Sequence, residues 1–429
     1  MSTKTTTTTT AITLSTCLFL NSAVLVILFF STHYAAAATV YQGHCLLTGT
    51  INAPGLRGSV SLVYDENTNS TTISWSLNQT TVPINLQGKK LGFHIHEFGY
   101  LADAASTGSH YNPFGANHSL PTESAPSIHV GDLGNIDLSL GYSGVIVSNL
   151  VRLNGSMSVI GRAMRLHMQQ DVGSSSQPSG NAGPAAAHCV IGIANVTSNG
   201  AMNDAYTTTN RAVATIFKTD DAGSYNVTGR VIFDDSVGNG NVRVTGRVCG
   251  LAPNTVHGFH VHQFGELNLK DGSSFMGHWN PSGSPHAYPG TVNRHAGDMG
   301  NITTDANGIA TIDLTLDLLA LKGVNSIIGR GVVIHQKPDD GVTQSTGGAA
   351  ARYGIGVIGI PPTTPSALSL QDPNDACSGI ALPIVIVTPP TTNSTKPKSS
   401  VNAAVALGGH DGALVLLLLI SLIATSLVF

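Results

Sequence analysis

Charge is what this 429-residue chain has least of. Charged side chains make up 10% of it, against about 25% in ordinary globular domains. So thin a charge argues against the usual cytosolic surface and against a charge-driven disordered chain. Lys and Arg number 20 against 24 Asp and Glu, with no basic block, so no nucleic-acid partner is expected. No long apolar run lies in the middle of the chain, which argues against a polytopic membrane protein. Against these shortages stand 48 glycines, a Thr/Ser/Asn- and Val/Ile-rich texture, and 17 histidines. The glycine and β-branched content points to short strands and turns. The histidines require a chemical explanation.

Both ends read as processing signals. Lys4 precedes an apolar stretch from Ala11 to Phe30, followed by Ala35-Ala36-Ala37-Ala38. This is the layout of a cleaved secretory signal, residues 1–38. Gly412 to Phe429 is apolar and uncharged, with small residues Asn402-Ala403-Ala404 and a short spacer before it. That pattern predicts a GPI-attachment propeptide over 403–429 and places the mature chain on the outer face of the plasma membrane. Eight N-x-S/T sequons lie between, at Asn69, Asn78, Asn117, Asn154, Asn195, Asn226, Asn301 and Asn393. In a secreted chain of low charge, sugar is a plausible source of surface polarity.

Between the signals one unit occurs twice. Gly92-Phe93-His94-Ile95-His96-Glu97-Phe98-Gly99 matches Gly258-Phe259-His260-Val261-His262-Gln263-Phe264-Gly265. His110-Tyr111-Asn112-Pro113 matches His278-Trp279-Asn280-Pro281, and Ile160-Gly161-Arg162 matches Ile328-Gly329-Arg330. His129-Val130-Gly131-Asp132-Leu133-Gly134-Asn135 matches His295-Ala296-Gly297-Asp298-Met299-Gly300-Asn301. The nearly constant offset means two tandem domains, since solenoid repeats are far shorter. The expected domains are 39–197 and 212–361, joined by a polar linker over 198–211. A Pro/Thr/Ser-rich stalk follows over 362–402. Val227, Gly229, Val231 and Phe233 alternate with polar residues, as do Val242, Val244, Gly246 and Val248. Period-two patterning with regular turns predicts an antiparallel sandwich or barrel.

Histidines 94, 96, 110, 118, 129 and 167 recur as 260, 262, 278, 286, 295 and 335, and Asp132 recurs as Asp298. A His-x-His pair on a strand puts both imidazoles on one face. Imidazole suits copper and zinc alike, and three His with one Asp suits tetrahedral zinc. A lone histidine would read as an ordinary satisfied side chain. Six with an aspartate, preserved in two copies, read as a metal site.

These motifs together resemble the Cu/Zn superoxide dismutase family over most of the mature chain. The resemblance implies all-β domains, two tandem eight-stranded Greek-key β-barrels, with one copper and one zinc in each. It implies copper at His94, His96, His110 and His167, and zinc at His110, His118, His129 and Asp132, with His110 bridging. In the second unit it implies copper at His260, His262, His278 and His335, and zinc at His278, His286, His295 and Asp298, with His278 bridging. Asp171 and Asp339 match the family's aspartate that links a copper-ligand His to a zinc-ligand His. The implied activity is dismutation of superoxide to oxygen and hydrogen peroxide, with a metal-binding surface protein of little turnover as the alternative. Phe98, Gly99, Ile160, Gly161 and Ile193, with their second-unit counterparts, match the family's dimer surface. They suggest an internal pseudo-dimer or a homo-oligomer.

The chain also departs from the family. The active-site arginine is matched by Arg352 in the second unit, but Ala185 stands at its place in the first. Unequal domains are therefore expected, the second more active. The stretches Asp171 to Ala185 and Asp339 to Arg352 carry no lysine, so long-range anion steering should be weak. The family's disulfide positions hold no cysteine here. Cys45, Cys189, Cys249 and Cys377 allow three connectivities. Cys45 with Cys189 is preferred, because the family's barrel sets the first and last strands side by side; Cys249 with Cys377 is then left.

Overall fold

The computed structural model describes residues 40–102, 106–194, 209–267, 271–362 and 377. The predicted signal segment, most of the linker, nearly all of the stalk and the attachment signal lie outside the described residues.

The first domain comprises β1 (Val40–Gly49), β2 (Arg57–Asp65), β3 (Ser70–Leu77), β4 (Lys90–Ile95), β5 (Asp132–Asp137), β6 (Ser143–Ser148), β7 (Ala163–His167) and β8 (Ala185–Val190). A two-residue β9 (Gly192–Ile193) pairs with β1. The second comprises β10 (Arg211–Lys218), β11 (Thr228–Asp234), β12 (Val242–Cys249), β13 (Val256–His262), β14 (Asp298–Thr303), β15 (Ala310–Leu316), β16 (Gly331–His335) and β17 (Arg352–Gly359). The strand orders are β5-β4-β7-β8-β1-β2-β3-β6 and β14-β13-β16-β17-β10-β11-β12-β15, so the two domains follow one path. Each is a nearly closed antiparallel barrel, and no α-helix occurs among the described residues. Near-closure removes the unpaired edges that an open sheet would expose.

Alternation builds the cores. In β3, Ile73, Trp75 and Leu77 turn inward while Thr72, Ser74 and Ser76 face solvent. Phe93 and Ile95 of β4 enter the first core, and Phe259 and Val261 of β13 enter the second. Strand β11 departs from strict alternation: Gly229 to Phe233 are all buried. Its outer side chains are covered from the first barrel, where Tyr100 packs with Val213 and Ile232 and lies under the Arg230 guanidinium.

Both barrels fall within one compact unit, and backbone hydrogen bonds join them. Gly99 N–H donates to Ile360 O (2.7 Å) and Ile360 N–H to Gly161 O (2.8 Å). The mirrored pair runs from Ile193 N–H to Gly329 O (2.7 Å) and from Gly265 N–H to Ile193 O (2.9 Å). Equivalent residues thus exchange roles across the contact, as in a two-fold interface. Gly161 and Gly329 have φ of 77° and 79°, and a side chain on either would overlap Ile328 or Ile160. Glycine is needed there for both its backbone conformation and its closeness.

The disulfides are Cys45–Cys189 and Cys249–Cys377, with Cα separations of 5.5 and 5.9 Å. The first ties β1 to β8 inside the core, as the strand adjacency suggested.

Candidate metal centres

Strand geometry sets the histidines out. On β4, Phe93 and Ile95 occupy the core, so His94, and His96 just past the strand's end, fall on the outer face. His167 closes β7 beside β4, and a backbone bridge between His96 and His110 folds the long β4–β5 connection back onto them. The second barrel repeats this with His260, His262, His335 and the His262–His278 bridge. The result is four buried clusters. His94, His96, His110 and His167 form one, and His260, His262, His278 and His335 its counterpart. His110, His118, His129 and Asp132 form another, mirrored by His278, His286, His295 and Asp298. Within each, one donor atom per residue lies within 4.8 Å of all the others. His110 and His278 belong to two clusters each. All twelve histidines of the repeated set fall in these four groups.

Donor chemistry shows that a cation fits. His94 Nδ1, His96 Nε2 and His167 Nε2 are buried without a hydrogen-bond partner, as are His260 Nδ1 and His278 Nε2. A buried polar atom left unpaired costs about 1–3 kcal/mol, which a coordinated metal would offset. In the second kind of cluster three imidazoles crowd one carboxylate oxygen. Asp132 Oδ1 meets Nδ1 of His110, His118 and His129 at 2.8, 2.9 and 3.1 Å. Asp298 Oδ1 meets those of His278, His286 and His295 at 2.8, 3.0 and 3.1 Å.

Protonation follows burial and partners. Burial pushes His94 and His278 down to about 4 and His167 to about 3. It holds His96, His262 and His335 well below the ordinary imidazole value. These rings are neutral at pH 7, the form that binds metal. His118 and His286 go the other way. Burial disfavours their cations, but hydrogen bonds to Asp132 and Asp171, or to Asp298 and Asp339, outweigh it and raise both to about 9.

Asp171 stands between the clusters, with Oδ2 on His94 Nε2 (2.8 Å) and Oδ1 on His118 Nε2 (2.9 Å). Asp339 does the same for His260 and His286, both at 2.9 Å. Such outer partners fix ring orientation and tautomer. Three supports escaped the sequence reading. The Asn135 amide clamps the backbone of Asp171, as Asn301 clamps Asp339. The Gln177 side chain pairs with both backbone groups of His118, and Gln344 with those of His286. Gly180 and Gly347, at φ 67°, leave room for the aspartates that a β-carbon would strike. Each recurs at equivalent positions, and that recurrence was the available signal.

Arg352 lies opposite His335 in the β16–β17 register. Its guanidinium donates to Gly272 O and Met276 O, and Met276 O also accepts from His262 Nδ1 (2.8 Å). Ala185 holds the matching register place opposite His167 and is buried.

An all-β scaffold carrying paired, histidine-sharing donor clusters has the side chains to hold two metal ions per barrel. The family model described as copper/zinc superoxide dismutase matches residues 56–191 and 227–358. The chain belongs to the copper/zinc superoxide dismutase family. A solved structure titled "Crystal Structure Analysis of the clock protein EA4" is 38% identical over 37% of this chain and 99% of its own, with a TM-score of 0.33.

Proposed function

We propose that the chain is a surface-tethered extracellular superoxide dismutase with one copper and one zinc in each barrel. The observation that supports it most is the pair of buried donor sets sharing one histidine, present twice and backed in each barrel by a bridging aspartate. Copper would sit at His94, His96, His110 and His167, and at His260, His262, His278 and His335. Zinc would sit at His110, His118, His129 and Asp132, and at His278, His286, His295 and Asp298. When bound, copper supplies one-electron chemistry, by which one superoxide is oxidised to oxygen and a second, with two protons, is reduced to hydrogen peroxide. Zinc has no redox chemistry and holds geometry.

The protein's own groups do the rest. His278 keeps Nδ1 on Asp298, leaving Nε2 to hold a proton and pass it to the reduced substrate. His110, with Nδ1 on Asp132, is placed to do the same. Asp171 and Asp339 keep the rings aligned. Arg352 offers a planar cation that can dock the anion. Ala185 offers nothing, so the second barrel is the faster. The interlocked barrels would act as an internal pseudo-dimer, held to the membrane by a GPI lipid after secretory processing. The experiment is metal analysis of the purified ectodomain with superoxide consumption, before and after copper chelation. Fully loaded protein that consumes no superoxide would reduce the reading to a passive copper/zinc binder.

A further inference from the structure

The first barrel lacks the arginine on β8 but carries one on the neighbouring strand. Arg165 lies on β7, two residues before His167, with His94 opposite on β4 and His188 opposite on β8. Alternation puts Met164 and Leu166 in the core, so Arg165 shares the outer face with His167. It is only 6% exposed. Its Nη1 donates to Thr107 Oγ1 (3.0 Å), and that hydroxyl lies 3.4 Å from Nδ1 of His96. The guanidinium therefore reaches a ring of the copper cluster through one hydroxyl.

The second barrel shows what these places hold when the arginine is on β17. Val333 occupies the place of Arg165, two residues before His335, and Ile355 faces it where His188 faces Arg165. Phe275 O accepts from Phe264 N–H as Thr107 O accepts from Phe98 N–H, so Phe275 replaces Thr107. Val333, Phe275 and Ile355 form one apolar cluster. In the first barrel all three are polar together, and the barrel that loses the arginine on β8 gains one on β7. One polar substitution beside a buried cluster would be unremarkable; three in contact positions that accommodate a buried guanidinium are a coordinated change.

We propose that Arg165 is a positioning residue for anion binding in the first barrel, supplying from β7 the fixed positive charge that Arg352 supplies from β17 in the second. A guanidinium keeps its charge at any physiological pH, and a buried charge is screened less than an exposed one. Being nearly enclosed, Arg165 attracts the anion through the field and through Thr107 and His96. It does not touch it. The first barrel thus keeps anion affinity while lacking a docking fork. This rests on the copper assignment proposed above.

The test uses the full chain with the second copper cluster disabled by His262→Ala and His335→Ala, loaded with copper and zinc. Metal content is measured directly, and azide affinity for the first barrel's Cu(II) is titrated by absorbance. Arg165→Val, the residue the second barrel uses, should keep its copper and bind azide about 10-fold more weakly. Arg165→Lys should stay within about threefold of the parent, because it keeps the charge. Copper-replete Arg165→Val with unchanged azide affinity overturns the inference and leaves the metal assignment intact, and so does an Arg165→Lys as weak as Arg165→Val. A parent first barrel that takes up no copper overturns the metal assignment, and this inference with it. Should Arg165→Val fail to fold, Arg165→Met, closer in volume, decides by the same azide titration.

Discussion

Gly192 of the first barrel lies so close to Gly265 of the second that a β-carbon on it would overlap the Gly265 carbonyl oxygen. The three heavy atoms nearest that position all belong to Gly265, so Gly192→Ala tests this contact first. The variant should push Gly265 away and weaken the hydrogen bonds made by Ile193. We expect a loss of about 1–3 kcal/mol in stability, typical of overpacking. Faster hydrogen exchange at the Ile193 and Gly265 amides should accompany it. Unchanged exchange there would contradict the contact.

The second prediction concerns Asp339. Its carboxylate joins His260 to His286 while Gly341 N–H holds Oδ1. Asp339→Asn keeps the shape but cannot accept from both rings. Zinc affinity of the second barrel should fall about 10- to 100-fold, measured by competition with a chromophoric chelator. Asp171→Asn should act alike on the first barrel only.

The barrels should differ in turnover. His260→Ala removes a ring of the proposed copper cluster from the barrel with Arg352, and His94→Ala one from the barrel with Ala185. The activity lost with His260→Ala should exceed that lost with His94→Ala by about 10-fold, corresponding to ~1.4 kcal/mol for one docking guanidinium. Equal losses would refute the asymmetry.

Metal-free protein should be most stable near neutral pH. His94 and His278 titrate near 4 when folded, against 6.5 in the ordinary ring. As pH falls below 6.5, the unfolded chain takes up protons that the folded chain refuses, so stability drops. The depressed Asp132 and Asp298 carboxylates add to the loss at still lower pH, as they protonate. On the alkaline side His118 and His286, raised to about 9, matter instead. Their contribution is complete below 6.5 and vanishes as pH rises through 9. Thermal midpoints of the apoprotein from pH 4 to 10 check this, and an optimum below pH 5 would contradict it.

Asn301 should carry no glycan. Its Nδ2 donates to Asp339 O (2.9 Å) and its Oδ1 accepts from Asp339 N–H (2.8 Å), so the amide is engaged at both ends. Asn69, Asn117 and Asn226 are exposed. Glycopeptide mapping of secreted protein should find Asn301 bare, and a modified Asn301 would mean that its clamp on Asp339 does not form.

The tandem barrels and the repeated histidine sets were legible in the sequence alone. Period-two alternation, a near-constant repeat offset and paired His-x-His motifs are local or self-comparing signals, and each unit checked the other. Only the tertiary structure decided how Asn135, Gln177 and Gly180 serve Asp171 and His118, because backbone clamping depends on distance in space. It also decided the interlocking of the barrels at Gly161 and Gly329, and the burial of both faces of β11. The replacement of Val333, Phe275 and Ile355 by Arg165, Thr107 and His188 was invisible for the same reason. These positions are scattered over three segments, and nothing short of folding shows that one buried cation joins them.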